Sequence, residues 1–98
     1  MQLFVIRRRN GWTTGDKLEE AAAVSARIGD QDMPNDIRWI RSYVVEEPDG
    51  SLGTICIYEA SSPEAIRDHA NRVGMPADEI APVLDTVIVR QDPAKATA

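Results

Sequence analysis

The chain has 98 residues, 43% hydrophobic and 28% charged, a composition typical of one compact domain with its own core. Its formal net charge of −5 argues against a nucleic-acid partner, because nucleic-acid phosphates attract clustered lysine and arginine. No apolar run reaches the ~20 residues that cross a bilayer, and no signal-peptide pattern opens the chain, so we expect no membrane partner. The single cysteine, Cys56, cannot form an internal disulfide, which favours the reducing cytoplasm.

The first part of the chain predicts a strand and a helix. Gln2 to Arg8 is rich in β-branched and aromatic residues and precedes a turn signal at Asn10-Gly11. Apolar residues then recur at helical spacing from Asp16 to Ile28, after a capping-box-like Thr13. Gly29 follows, where a residue in the left-handed conformation commonly ends a helix.

The middle of the chain predicts a β-hairpin and a second helix. The strands are expected over Ile37–Glu46 and Thr54–Ala60, and Pro48-Asp49-Gly50 supplies the turn between them. Ser62 is a natural N-cap with proline at the next position, and Gly74 ends the helix.

The pattern of Ile80–Val89 predicts the last strand, and residues 92–98 are expected to form a flexible tail after a single domain of residues 1–91. The order βαββαβ is that of a ferredoxin-like α+β fold. Right-handed crossovers then place two helices on one face of a four-stranded antiparallel sheet.

Strand alternation predicts that both faces of this sheet are substantially apolar. In the first strand, Leu3 and Val5 oppose Phe4 and Ile6. In the second strand, alternation places Ile40 and Val44 on one side of the sheet. The other side receives Ile37, Trp39, Tyr43 and Val45. Because a bare apolar face invites association, we expect a homodimer through the helix-free sheet face, a dimeric α+β barrel. The alternative is a monomer with a ligand groove on that face.

Three side chains are candidates for chemistry. His69 lies at the edge of the apolar stripe of the second helix, where a histidine either packs in the core or binds a metal or transfers a proton. Cys56 lies in the middle of a strand, where a cysteine commonly acts as a small hydrophobe. Glu59, near the end of that strand, requires a partner if it is buried. That partner is His69 if Glu59 faces the helices, or else Arg38 or Arg41.

The run Arg7-Arg8-Arg9 at the end of the first strand suits a phosphate or an acidic partner. Alternation also favours a solvated strand edge with one arginine turned inward to a salt bridge. Trp12, Trp39 and Tyr43 are candidates for the core or the dimer face, and then for ligand stacking. The chain has no glycine-rich phosphate loop, no Ser-His-Asp order and no CxxC motif, so we assign no catalytic residue.

Four motifs over residues 37–83 resemble a family of small bacterial nickel-binding-like proteins, whose domain is largely of unknown function. The motifs are Trp39-Ile40-Arg41-Ser42-Tyr43-Val44, Cys56-Ile57-Tyr58-Glu59-Ala60, Ala65-Ile66-Arg67-Asp68-His69-Ala70 and Gly74-Met75-Pro76-Ala77-Asp78-Glu79-Ile80. The resemblance implies a ferredoxin-like fold, a dimer and, in at least one branch, nickel bound by histidine, cysteine and carboxylate side chains.

By position, the resemblance makes Cys56, Glu59 and His69 the candidate ligands of Ni(II) or another divalent transition metal, and it implies no other cofactor. Metal-binding members carry further histidines where this chain has Arg7 and Met75, which are poor ligands for Ni(II). Since a stable site needs about four donors, we expect a small dimeric ligand-binding protein with weak or lost metal binding. Two alternatives stay open: a protein-interaction or regulatory domain without metal, and a cofactor-free or haem-type monooxygenase of the dimeric α+β barrel class.

Overall fold

The computed structural model describes residues 1–94 and contains one four-stranded antiparallel sheet, in the order β2-β3-β1-β4, with two helices on one face. The elements are β1 (Gln2–Trp12), α1 (Gly15–Arg27), β2 (Ile37–Glu46), β3 (Leu52–Ala60), α2 (Pro63–Val73) and β4 (Glu79–Pro82). The predicted ferredoxin-like α+β fold is confirmed. Among the described residues, no helix combines the length and the apolar character needed to cross a membrane.

The core lies between the helices and one face of the central strands. Phe4 and Ile6 of β1 are opposite Tyr58 and Cys56 of β3, so these four side chains point to the same side of the sheet. Ile66 of α2 packs against this face and is fully buried. The alternate residues of β1 and β3 define the helix-free face, which consists of Leu3, Val5, Arg7, Ile55, Ile57 and Glu59.

The turn expected at Asn10-Gly11 is absent, since β1 continues through it to Trp12. The pairing of β1 with β3 shifts between Arg8 and Trp12, and Asn10 has a φ of +49°. Asparagine tolerates this left-handed conformation better than most residues. The pair therefore forms an irregularity within a long strand, which carries Trp12 back to a register position opposite Leu52.

The end of α1 also differs from the prediction. Thr14 caps its first turn by accepting a hydrogen bond from the Lys17 N–H, but Gly29 does not end it in the left-handed conformation. The chain instead continues as one π-helical turn over Ile28–Asp32. Gly29 is buried there, and a Cβ atom built on it would lie 3.7 Å from Nε2 of His69. The glycine therefore lies where the turn passes close to the histidine ring.

The hairpin and α2 form as predicted. Gly50 has a φ of +86° in the turn between β2 and β3, a conformation that favours glycine. The Ser62 hydroxyl accepts a hydrogen bond from the Ala65 N–H at 3.1 Å, and Gly74 ends α2 with a φ of +85°.

A bulge in β2 overturns the expected placement of its side chains. The pairing with β3 shifts between Trp39 and Arg41, because Ile40 is an extra residue on the β2 side. After this shift, Ser42 and Val44 pair with residues of the helix side, while Tyr43 lies opposite Ile55 of the helix-free face. Tyr43 and Val45 are therefore on the opposite side from Trp39, contrary to simple alternation.

The last strand is much shorter than the predicted Ile80–Val89. β4 pairs Glu79 with Arg7 and Pro82 with Phe4, and Val83 donates a last hydrogen bond to the Leu3 carbonyl. Because the strands are antiparallel, β4 reaches the beginning of β1 there and runs out of residues to pair with. Residues 83–92, here called the C-terminal arm, therefore leave the sheet without regular structure.

The arm returns to the sheet at its far end. Asp92 accepts a hydrogen bond from the Tyr43 hydroxyl at 2.7 Å and lies 3.8 Å from the Arg41 guanidinium. Its apolar residues stay exposed, with exposed fractions of 68% to 93% for Leu84, Val87, Ile88 and Val89. Of the predicted flexible tail, residues 95–98 lie outside the described part of the chain, so its flexibility stays a prediction.

Candidate functional site

A cavity of about 430 Å³ lies on the helix side of the sheet, between α1 and the strands β1, β2 and β3. Most of its walls are apolar, formed by Trp12, Leu18, Ala22, Trp39, Ile40, Val44, Cys56, Tyr58 and Met75. Its polar lining residues are Arg8, Ser25, Arg41, Ser42 and Thr54. A volume of this size and a few polar groups among apolar walls are typical of sites for small organic molecules.

Arg8 is the charged residue buried at this cavity. Alternation along β1 places it on the same side as Phe4 and Ile6, and only 1% of its surface is exposed. Its Nη1 donates to the Pro76 carbonyl at 2.6 Å, and the guanidinium lies 5.7 Å from the ring centre of Tyr58. In residues 1–94 its Nη2 has no hydrogen-bond partner, and no carboxylate forms a salt bridge with it.

Tyr58 and Trp39 form an aromatic wall of the cavity. Their rings stack with centres 5.9 Å apart and planes 9° from parallel. The Tyr58 hydroxyl is 3.0 Å from the Ser25 hydroxyl, and burial raises the pKa of Tyr58 above its ordinary value. The phenol therefore stays protonated and can act as a hydrogen-bond donor or acceptor in this wall.

His69 is fully buried in α2 and does not line the cavity. Its Nε2 lies 3.0 Å from the Ser25 carbonyl, which can only accept, so Nε2 carries the proton and donates. Burial, the largest effect, lowers the pKa of His69, and the charges of Arg8 and Arg72 lower it further, while the Ser25 carbonyl and Asp68 raise it. The ring is therefore neutral, and its Nδ1 has no partner among the described residues.

Cys56 faces the cavity and is 4% exposed. Its Sγ donates to Oγ1 of Thr54 at 3.1 Å. With this burial and this hydrogen bond, it acts as a small side chain in the cavity wall.

Glu59 lies on the helix-free face, opposite Leu3 of β1, and forms a salt bridge of 3.0 Å with Arg38. Of the two partners considered from the sequence, the structure therefore provides an arginine. The sheet separates Glu59 from Cys56 and His69. Within residues 1–94 no three His, Cys, Asp or Glu side chains are grouped so that they could hold a metal ion. The donors of one chain do not fit a nickel site.

The three consecutive arginines of β1 have three different environments. Arg7 is the one in a largely buried salt bridge, through Nη2 to Oε1 of Glu47 at 2.6 Å, and it also donates to the Thr54 carbonyl at 3.2 Å. Arg9 is exposed and pairs with Glu79. The sequence thus predicted one inward salt bridge correctly but missed that Arg8 is also buried, on the other face.

Sequence reasoning named Arg8 and Met75 but did not assign either of them to this cavity. Arg8 follows Phe4 and Ile6 at every second position, so alternation alone indicated that it shares their buried face. Met75 belongs to the turn after α2, which is tied to β1 because Asp78 accepts a hydrogen bond from the Arg9 N–H at 2.7 Å. Only the folded chain brings that turn to the cavity.

The fold and the cavity define the class: a small ferredoxin-like α+β domain with a site of the size that organic molecules occupy. A family model described as nickel responsive protein SCO4226-like matches residues 4–83, and the chain belongs to this family. The chain is also similar to the crystal structure of SCO4226 from Streptomyces coelicolor A3(2), with 22% identity and a TM-score of 0.67. That match covers 87% of this chain and 99% of the other, and it supports the fold. A comparison with curated proteins finds no match.

Proposed function

We propose that this protein is a small ligand-binding protein and that its ligand is a small organic molecule held in the cavity on the helix side of the sheet. The observation that carries the proposal is the cavity itself, about 430 Å³ between α1 and the sheet, with stacked aromatic rings in one wall. A half-open space of this size, lined mainly by apolar side chains, is suited to a small organic occupant.

The test uses N-phenyl-1-naphthylamine, a neutral probe that fluoresces in apolar surroundings. We expect saturable binding to the wild type, and a strong loss in Ala22→Leu, whose larger side chain fills part of the cavity. Ala23→Leu is the matched control, because Ala23 is exposed on the same helix. Equal binding by both variants, or no binding by the wild type, would refute the cavity as the site.

The single cysteine gives a second readout of the same site. Because Cys56 lines the cavity, a bound probe covers its thiol and slows alkylation by N-ethylmaleimide. An alkylation rate that a saturating probe leaves unchanged would place the probe elsewhere on the protein.

For the metal, we infer that transition-metal binding at Cys56, Glu59 and His69 is weak or lost in this branch of the family. The arrangement supports this because Glu59 lies on the opposite face of the sheet from Cys56 and His69 and is paired with Arg38. Calorimetric titration with Ni(II) should give no saturable heat for the wild type or for His69→Gln. Tight binding that disappears in His69→Gln would overturn this inference.

We further infer a homodimer through the helix-free face. The inference is supported by the apolar residues of that face, by the 42% exposure of Tyr43 and by the exposed apolar residues of the C-terminal arm beside it. A contiguous apolar face on a sheet is the kind of surface that protein–protein contacts cover. In a dimer with two-fold symmetry, this face of one copy packs against the same face of the other.

Light scattering coupled to size-exclusion chromatography tests the dimer. We expect Ile57→Lys, which puts a charge in the centre of the helix-free face, to shift the protein to monomers. Ala23→Lys adds the same charge on α1 and should leave the mass unchanged. A monomeric wild type would refute the inference.

The single buried cysteine, with no internal disulfide partner, supports a cytoplasmic location. Fractionation of cells that express the tagged chain tests this.

A further inference from the structure

Among the described residues, the guanidinium of Arg8 is a buried charge without a counter-charge. Only 1% of the residue is exposed, and no carboxylate among residues 1–94 forms a salt bridge with it. Its Nη1 is satisfied by the Pro76 carbonyl, but its Nη2 has no hydrogen-bond partner in that part of the chain. Buried charges in proteins are ordinarily paired, because the loss of hydration is otherwise uncompensated.

Because Arg8 lines the cavity, an anion bound there would supply the missing counter-charge. We propose that the cavity binds an amphipathic organic acid, whose oxyanion pairs with the guanidinium of Arg8 and whose apolar body lies against the aromatic and aliphatic walls. Arginine is the side chain best suited to carboxylates in partly dry sites, because its donors are fixed in a plane and always charged. This proposal rests on the ligand-binding function proposed above and names the chemical class of the ligand.

The surroundings of Arg8 favour such an acid over a bare inorganic anion. Most of the other cavity walls are apolar and include Leu18, Trp39 and Val44. These side chains can contact the apolar body of an organic acid, whereas an inorganic anion has no such body to place against them. Ser25 and Thr54 also line the cavity, and a hydroxyl group is a neutral donor suited to the second oxygen of an acid. The formal net charge of −5 makes general attraction to anions unfavourable, so selective binding of an acid would report a local site.

Two fluorescent probes of almost the same shape test the proposal. 1-Anilinonaphthalene-8-sulfonate is N-phenyl-1-naphthylamine with one added sulfonate, so the ratio of their affinities measures the anionic contact alone. We expect Arg8→Met, which keeps an apolar side chain of similar length, to lower the affinity for the sulfonate probe about 10- to 100-fold. The affinity for the neutral probe should stay within about threefold.

Arg9→Met is the matched control, since Arg9 is the next residue of β1 and its side chain is exposed. It should leave the ratio of the two affinities unchanged. Arg8→Lys keeps the charge and should recover part of the preference for the anionic probe. Circular dichroism and thermal melting establish that each variant is folded before its affinities are compared.

A measurement on the wild type alone keeps the proposal testable if Arg8→Met does not fold. Decanoate should displace the neutral probe at an at least tenfold lower concentration than 1-decanol, and inorganic phosphate should not displace it. Equal displacement by the acid and the alcohol would overturn the oxyanion contact while leaving the ligand-binding function in place. Failure of the neutral probe to bind would instead refute that function, and displacement by phosphate alone would mean a site for inorganic anions.

Discussion

The stability of this protein should fall as the pH is lowered from 7.5 to 5.5, and His69 should be the cause. It is the only histidine, it is fully buried, and burial lowers the pKa of its ring below the ordinary value. The unfolded chain therefore takes up a proton at a pH where the folded chain does not. Since the unfolded state binds more protons, the free energy of unfolding decreases as the pH falls below the unfolded pKa of about 6.5.

The size of the effect follows from one proton. If the buried ring stays neutral in the folded state, the loss of stability between pH 7.5 and 5.5 approaches about 1.4 kcal/mol, with a limiting slope of about 1.4 kcal/mol per pH unit. The contribution is fully present above the unfolded pKa. Its loss stops once the pH falls below the lowered pKa of the folded state.

Urea unfolding of the wild type and of His69→Gln at five pH values between 5.5 and 7.5 measures the effect. Glutamine can still donate a hydrogen bond to the Ser25 carbonyl but does not titrate, so the variant should show a nearly flat profile. All other titratable groups are common to both proteins, so the difference between the two profiles reports His69. Parallel pH profiles, or a wild type that becomes more stable as the pH falls, would refute the assignment of a buried neutral histidine.

Three further predictions concern the contacts that support the sheet and α2. Gly53→Ala should destabilise the protein by about 1–3 kcal/mol in chemical unfolding, because a Cβ atom there would overlap the Glu47 carboxylate and the Arg8 carbonyl; Gly15→Ala, with open space around it, should not. The pKa of Glu47 is lowered, mainly by the hydrogen bond from Arg7 and next by the hydrogen bond from the Asn10 N–H. The ionised Glu47 therefore stabilises the folded state above the ordinary glutamate pKa, and this stabilisation is lost as the pH falls towards the lowered pKa of the folded state. Glu47→Gln should therefore lower the melting temperature at pH 6 and flatten its fall towards pH 3; an unchanged acid profile would argue against the pair. Ser62→Ala should destabilise α2 by about 1 kcal/mol, and a Ser62→Asp variant that restores stability would identify the lost cap as the cause.

The cavity could be foreseen only in part. The alternation of Phe4, Ile6 and Arg8 placed a charge on the buried face of β1, and this signal was in the sequence. The other walls come from α1, β2 and the turn after α2, which are far from β1 along the chain. No local pattern encodes how far apart two packed elements lie, so neither the volume nor the unpaired state of Arg8 was predictable.

The positions of the three proposed metal ligands show the same limit. The family resemblance suggested one site, but Cys56 and Glu59 are three residues apart in β3 and lie on opposite faces of the sheet. Which of these faces meets the helices depends on how β3 pairs with β1. Shifting a register by one residue exchanges the faces of a strand. The bulge at Ile40 does the same within β2, where it moves Tyr43 to the helix-free face.

Local chemistry determined the elements of this protein. The cap at Ser62, the left-handed glycines at Gly50 and Gly74, and the apolar periods were sufficient for the βαββαβ order, because each depends on a few neighbouring residues. Tertiary structure decided which side chains share a face of the sheet. It decided where β4 stops, since β4 reaches the first residues of its antiparallel partner β1 there. It also decided that a buried arginine meets an open cavity, because non-local packing sets both the burial of a charge and the space beside it.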